Sequence, residues 1–172
     1  MVRSSIGTVF QSKTNISTFD ELVYFTAVKT MNGTFSASSI RHFLCPPALE
    51  TLTNSALNST SLNMTELNLP TTMVTIGANQ QRGYIGKIVI NSNITSFTPG
   101  YCYGSSLKGS TVYTFVLNVT EVIPIATSGS QGQYSNRHYY YVPDSLLNDY
   151  KSASGWSGFA SHILPMSQLP TQ

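Results

Sequence analysis

The sequence predicts an all-β protein, an immunoglobulin- or pilin-like β-sandwich with an extended N-terminal strand and at most one or two short helices. Three observations predict it. Residues 113–123, YTFVLNVTEVI, place Tyr113, Phe115, Leu117, Val119 and Ile123 on one face and Thr114, Asn118 and Thr120 on the other, the two-residue period of a half-buried strand. The chain of 172 residues holds 24 Ser, 20 Thr, 12 Asn and 10 Tyr, residue types that favour strands and turns over long helices. Its apolar segments are short and divided by turn signals such as Asn32-Gly33, Asn91-Ser92-Asn93 and Pro99-Gly100, the spacing of a sandwich or partly open barrel.

The elements follow in chain order. Residues 2–10 alternate, with Val2, Ile6 and Phe10 on one face, and read as a first strand; the polar run after them is too long for a tight hairpin. Residues 1–18 are therefore expected to be an extended strand and spacer, and residues 19–172 the β-sandwich domain. Asn32-Gly33 predicts a hairpin between residues 22–31 and 34–43. Pro46 and Pro47 stop any strand, and Leu49, Leu52 and Ala56 fall at helical spacing for about two turns before a surface excursion up to Pro70. Strands are expected at 73–76, 84–90 and 94–97, ahead of the central strand that Pro124 ends. A Gly/Ser/Gln loop at 128–133 precedes an aromatic strand at 137–142. Pro143-Asp144 opens a helical turn through Leu147, and residues 159–164 supply a last strand. No repeat of fixed period and no parallel βαβ alternation stands out.

Charge and compartment narrow the function. Only 9% of residues are charged and the net charge of +2 is spread over isolated side chains, so nucleic acid is not an expected partner. No apolar run reaches the roughly 18 residues of a membrane span, and the start MVRSSIGTVFQSK lacks the apolar stretch of a signal peptide. Six N-glycosylation sequons, at Asn15, Asn32, Asn58, Asn63, Asn93 and Asn118, favour an extracellular mature chain whose signal has been removed and which carries N-linked glycans. In an oxidising compartment Cys45 and Cys102 form one disulfide; in the cytosol they are two unrelated thiols.

Catalytic signals are weak. His42, His138 and His162 lack metal-ligand spacing, neither cysteine belongs to a CxxC motif, and no phosphate or dinucleotide loop is present. Glu121 and Asp144 are the one pair of acids to weigh for glycoside hydrolysis, against the plainer reading of caps and surface charges. The expectation is a non-enzyme without cofactor or metal. The run Tyr139-Tyr140-Tyr141, with Tyr101, Tyr103 and Tyr134, fits either a half-buried strand or an aromatic platform for sugars or a subunit.

In its charge-poor Ser/Thr/Asn/Tyr composition, its sequon density and the segment 2–10 ahead of a polar spacer, the chain resembles the subunits of archaeal threads, glycosylated surface filaments joined by donor-strand complementation. That resemblance implies a sandwich lacking one strand and no cofactor. It implies a head-to-tail homopolymer in which Val2, Ile6 and Phe10 fill the next copy's core, with a role in adhesion or biofilm at the cell surface. The alternatives are a secreted monomeric carbohydrate- or protein-binding module and a jelly-roll viral capsid protein.

Overall fold

A computed structural model describes residues 4–53, 56–59, 61–77, 84–97, 113–125 and 138–171. Eleven strands run through them: β1 (Thr18–Phe19), β2 (Thr30–Asn32), β3 (His42–Phe43), β4 (Thr51–Thr53), β5 (Asn63–Asn68), β6 (Thr75–Ile76), β7 (Tyr84–Ile90), β8 (Ser96–Phe97), β9 (Tyr113–Leu117), β10 (His138–Val142) and β11 (Ile163–Pro165). One short helix, α1 (Leu147–Ser152), lies among several 3-10 turns. The strands form a two-stranded sheet β1-β3, a four-stranded sheet β2-β4-β6-β8 and a five-stranded sheet β11-β10-β9-β7-β5. Every strand pairing among the described residues is parallel.

Parallel pairing overturns the expected immunoglobulin- or pilin-like sandwich, which is antiparallel and built on hairpins. Parallel sheets linked by helical pieces belong to the α/β class instead. The path is that of a solenoid, because β2, β4, β6 and β8 pair in that order while the chain visits another sheet between each of them. Thr30 pairs with Thr51, Thr51 with Thr75 and Thr75 with Ser96, steps of 21, 24 and 21 residues per coil. The Asn63 N–H donates to the Arg41 carbonyl at 2.9 Å, which carries the stack from β3 on to β5. The hairpin expected around Asn32-Gly33 does not form: β2 and β3 lie in different sheets. Gly33 does turn the chain, with φ +62, but towards the next side of the coil.

Stacking in register converts single apolar residues into columns. Met31, Leu52, Ile76 and Phe97 line the inside of the four-stranded sheet, at most 4% exposed. Opposite them run Leu67, Ile88, Phe115, Tyr140 and Ile163, paired residue by residue through the five-stranded sheet. The Phe115 and Tyr140 rings stack at 5.2 Å with 15° between their planes. In the four-stranded sheet one inward side chain per strand suffices, because the coil above and the coil below close its flanks.

The two ends differ. At the N-terminal end residues 4–28 make a first coil: the Ser4 carbonyl accepts from the Lys29 and Thr30 N–H groups, and Ser5 bridges Thr30 in parallel. β1 lies in this coil, across the boundary expected at residue 18. At the C-terminal end the last coil sets α1 and 3-10 turns between β10 and β11, where earlier coils set a strand of the four-stranded sheet. Trp156 and Tyr150 are fully buried there. The Trp156 Nε1–H donates to the Ile123 carbonyl at 2.7 Å, and the Ile123 N–H donates to the Tyr150 hydroxyl at 3.2 Å. Side chains of the final coil thus satisfy the Ile123 backbone of the coil before it, as a solenoid cap requires.

Candidate interaction surfaces

Polar side chains that stack on the outside of the coils are the candidates for binding. On the outer face of the four-stranded sheet Thr30, Thr51, Thr75 and Ser96 form a half-buried column. Strand spacing sets its hydroxyls about 4.8 Å apart. None of these hydroxyls has a hydrogen-bond partner among the described residues. Neighbouring hydroxyls are committed to the fold: Thr72 Oγ1 donates to the Leu49 carbonyl at 2.8 Å and Ser92 Oγ to the Met73 carbonyl at 2.7 Å.

The outer face of the five-stranded sheet is chemically mixed. Glu66 and Lys87, Cα partners on β5 and β7, form an ion pair, and Asn63 sits beside Tyr84, which is 40% exposed. Gly86 makes room for the Tyr84 side chain along its own strand, since a Cβ there would lie 2.7 Å from the Tyr84 hydroxyl and 3.0 Å from the Thr65 carbonyl. Past the strand ends, amides link adjacent coils: Asn118 Nδ2 donates to Asn91 Oδ1 at 2.7 Å, and Asn93 Nδ2 donates to Thr120 Oγ1 at 2.7 Å.

The structure distributes the sequence-predicted residues rather than gathering them. Asn15, Asn32, Asn63, Asn93 and Asn118 are exposed, whereas Asn58 is half-buried with its Oδ1 enclosed and unpartnered among the described residues. Ile6 and Phe10 pack against their own subunit's core, Phe10 with ring centroids 4.7 Å from Phe19 and 5.9 Å from Phe35. Val2 lies outside the described residues, as do Cys102, Tyr101, Tyr103 and Tyr134. Cys45 is half-buried, and burial pushes its thiol up to about 12; its expected disulfide partner Cys102 lies outside the described residues. Tyr140 and Tyr141 are buried and Tyr139 is half-buried, which makes this run a strand with rings on both faces.

Asp144 and His138 make contacts within the fold. Asp144 accepts from the Ser167 N–H at 3.0 Å, and hydrogen bonds from Ser167 keep its carboxyl below its usual value. The Glu121 carbonyl faces the Tyr150 hydroxyl at 3.4 Å, and burial pushes that phenol up to about 12. His138 sits inside the five-stranded sheet against Phe115, its pKa lowered to about 4 by burial and then by nearby His162. No group of three or more metal-ligating side chains occurs among the described residues. No helix among them is long and apolar enough to cross a membrane.

Sequence reasoning missed β5 and the outer columns. Residues 63–68 were expected in a surface excursion because the sequons at Asn58 and Asn63 lie there. The available signal was the pair of buried positions Met64 and Leu67 between exposed polar ones. Neither a scan against protein-family models nor a search of curated proteins matches this chain to a known protein.

Proposed function

We propose that this chain is a secreted or cell-surface binding module that holds a carbohydrate or protein ligand on the flat outer faces of its coils and performs no chemistry on it. The observation that carries this reading is the half-buried column Thr30, Thr51, Thr75 and Ser96, whose hydroxyls have no hydrogen-bond partner among the described residues. Such a column offers repeated donors and acceptors to an extended ligand at little entropic cost, because the coils already hold the spacing. The sequons support an extracellular setting, and the low charge favours neutral polar ligands.

A glycan array and a screen against extracellular proteins test the reading. A specific ligand is expected, and the isosteric Thr51→Val and Thr75→Val changes each weaken it by about 1 kcal/mol, roughly fivefold in Kd. Equal binding by the double variant, or no ligand in either screen, removes the reading. The rival is the filament subunit implied by the resemblance to archaeal threads. For that, Ser5 must leave Thr30, and Phe10 must leave Phe19 and Phe35, before residues 4–10 can enter a neighbour. Electron microscopy of purified native material separates the two, since filaments favour the rival and dispersed particles the binding module.

A further inference from the structure

Of the 12 asparagines in the chain only Asn32 is followed by glycine. It closes the three-residue strand β2 and is exposed, and its carboxamide has no hydrogen-bond partner among the described residues. Asn68, Asn91, Asn93 and Asn118, by contrast, each commit theirs to a neighbour. The backbone at Asn32 is held from one side: it pairs with Thr53 in β4, whereas the described bridge towards the first coil joins Ser5 to Thr30. Gly33 then turns the chain with φ +62, and without a Cβ its nitrogen is the least hindered main-chain nitrogen that follows any asparagine here. Asn32-Gly33-Thr34 is also a sequon, but Thr34 is 0% exposed with its Oγ1 enclosed and unpartnered among the described residues. The folded chain therefore withholds the hydroxyl by which a glycosyltransferase reads the sequon.

We propose that Asn32 is a site of spontaneous deamidation, at which the folded chain modifies itself with water as the only co-reactant. The Gly33 nitrogen forms a bond to Asn32 Cγ, the Cγ–Nδ2 bond breaks, and the Gly33 amide proton leaves with Nδ2 as ammonia, which closes a succinimide ring. Water then opens the ring. Addition at Cγ leaves aspartate; addition at the main-chain carbonyl carbon leaves isoaspartate, in which the backbone runs through Cγ and is one carbon longer. Attack from the next residue replaces a collision between molecules, so the step needs no enzyme. Ring closure requires rotation about the Asn32 Cα–C bond, which the last position of a strand paired on one side opposes less than a position inside a ladder. The consequence falls on the second coil. Thr34 and Phe35 follow directly and are both 0% exposed; the Phe35 N–H donates to the Ala56 carbonyl at 2.9 Å, and its ring lies 4.9 Å from that of Phe43. An added backbone carbon ahead of them shifts both in a close-packed interior, whereas plain aspartate on an exposed side chain leaves the packing intact. None of this depends on what the outer faces bind.

Incubation of the folded full chain at mildly alkaline pH, followed by peptide mapping and labelling with an isoaspartyl methyltransferase, tests this. Conversion at Asn32 is expected to be about tenfold or more faster than at any other asparagine. Molecules carrying isoaspartate should unfold at a lower urea concentration than the Asn32→Asp variant, which has the same charge on an unaltered backbone. Asn32→Gln, which would have to close a larger ring, should stay unmodified over the same period and keep the starting unfolding midpoint. Conversion at Asn32 no faster than elsewhere overturns the proposal, and so does native material in which Asn32 carries a glycan. Isoaspartyl protein that unfolds together with Asn32→Asp overturns the loosening of the second coil.

Discussion

At His138 the surroundings oppose a charge from two directions, since burial removes solvation and His162 adds a like charge when it is protonated. The folded pKa of about 4 lies below the ordinary 6.5, so the unfolded chain binds this proton more readily. The stability that neutral His138 contributes is therefore complete above pH 6.5 and is lost as pH falls from 6.5 towards about 4, a difference of about 3 kcal/mol. Urea unfolding across that range should show the loss, and His138→Gln should flatten it. Ser59 is a second such position, fully buried, with its hydroxyl 2.8 Å from the Ser38 carbonyl and 3.0 Å from that of Ile40. Ser59→Ala leaves enclosed carbonyls short of a donor and should cost roughly 1–3 kcal/mol by chemical denaturation. Neither role is visible in the sequence, where His138 and Ser59 have no distinguishing neighbours.

For single elements, β9 was the most legible, and its phase holds: Phe115, Leu117, Val119 and Ile123 are buried while Asn118 and Thr120 are exposed. Val116 breaks the alternation, because its partners across the sheet, Val89 and Tyr141, are apolar neighbours and all three are at most 8% exposed. Leu117→Ala should cost roughly 2–5 kcal/mol and Thr114→Ala under about 0.5, read by thermal or urea unfolding. Equal losses would mean that the inward face has been misassigned. β7 appears at the residues expected, 84–90, and β10 within a residue of its expected start. The helical turn expected after Pro143 extends into a cap. Trp156→Ala should cost roughly 3–5 kcal/mol, and Trp156→Phe less, since the ring would still fill the site while the Ile123 carbonyl loses its donor.

For the whole molecule, a stack in which each coil touches only its neighbours should open from its weaker end. Hydrogen exchange should then show a gradient. Amides of Lys29 and Thr30, which depend on the Ser4 carbonyl, should exchange well before those of Ile123 and Asn118, which sit under the cap or bond to the Ile90 carbonyl. Uniform protection would mean that the coils unfold as one unit.

The positions of β7 and β10 and the inward face of the central strand were settled by the sequence alone, because the side-chain period along one strand is a property of that strand. Their partners were not. Asn-Gly marks where the chain turns but not whether it returns beside itself, so a turn at Gly33 served equally for a hairpin and for the corner of a coil. The repeat stayed hidden because its steps vary, 21 residues from Thr30 to Thr51 but 27 from Lys87 to Thr114, and each coil needs only apolar volume at the stacked position, met in turn by Ile88, Phe115 and Tyr140. Only the tertiary structure brings Thr30, Thr51, Thr75 and Ser96 into one column, leaves the first coil's rings half-covered and seals the last coil with Trp156. These features arise from stacking between residues about 20 or more apart, and that register is fixed by which columns fill the interior.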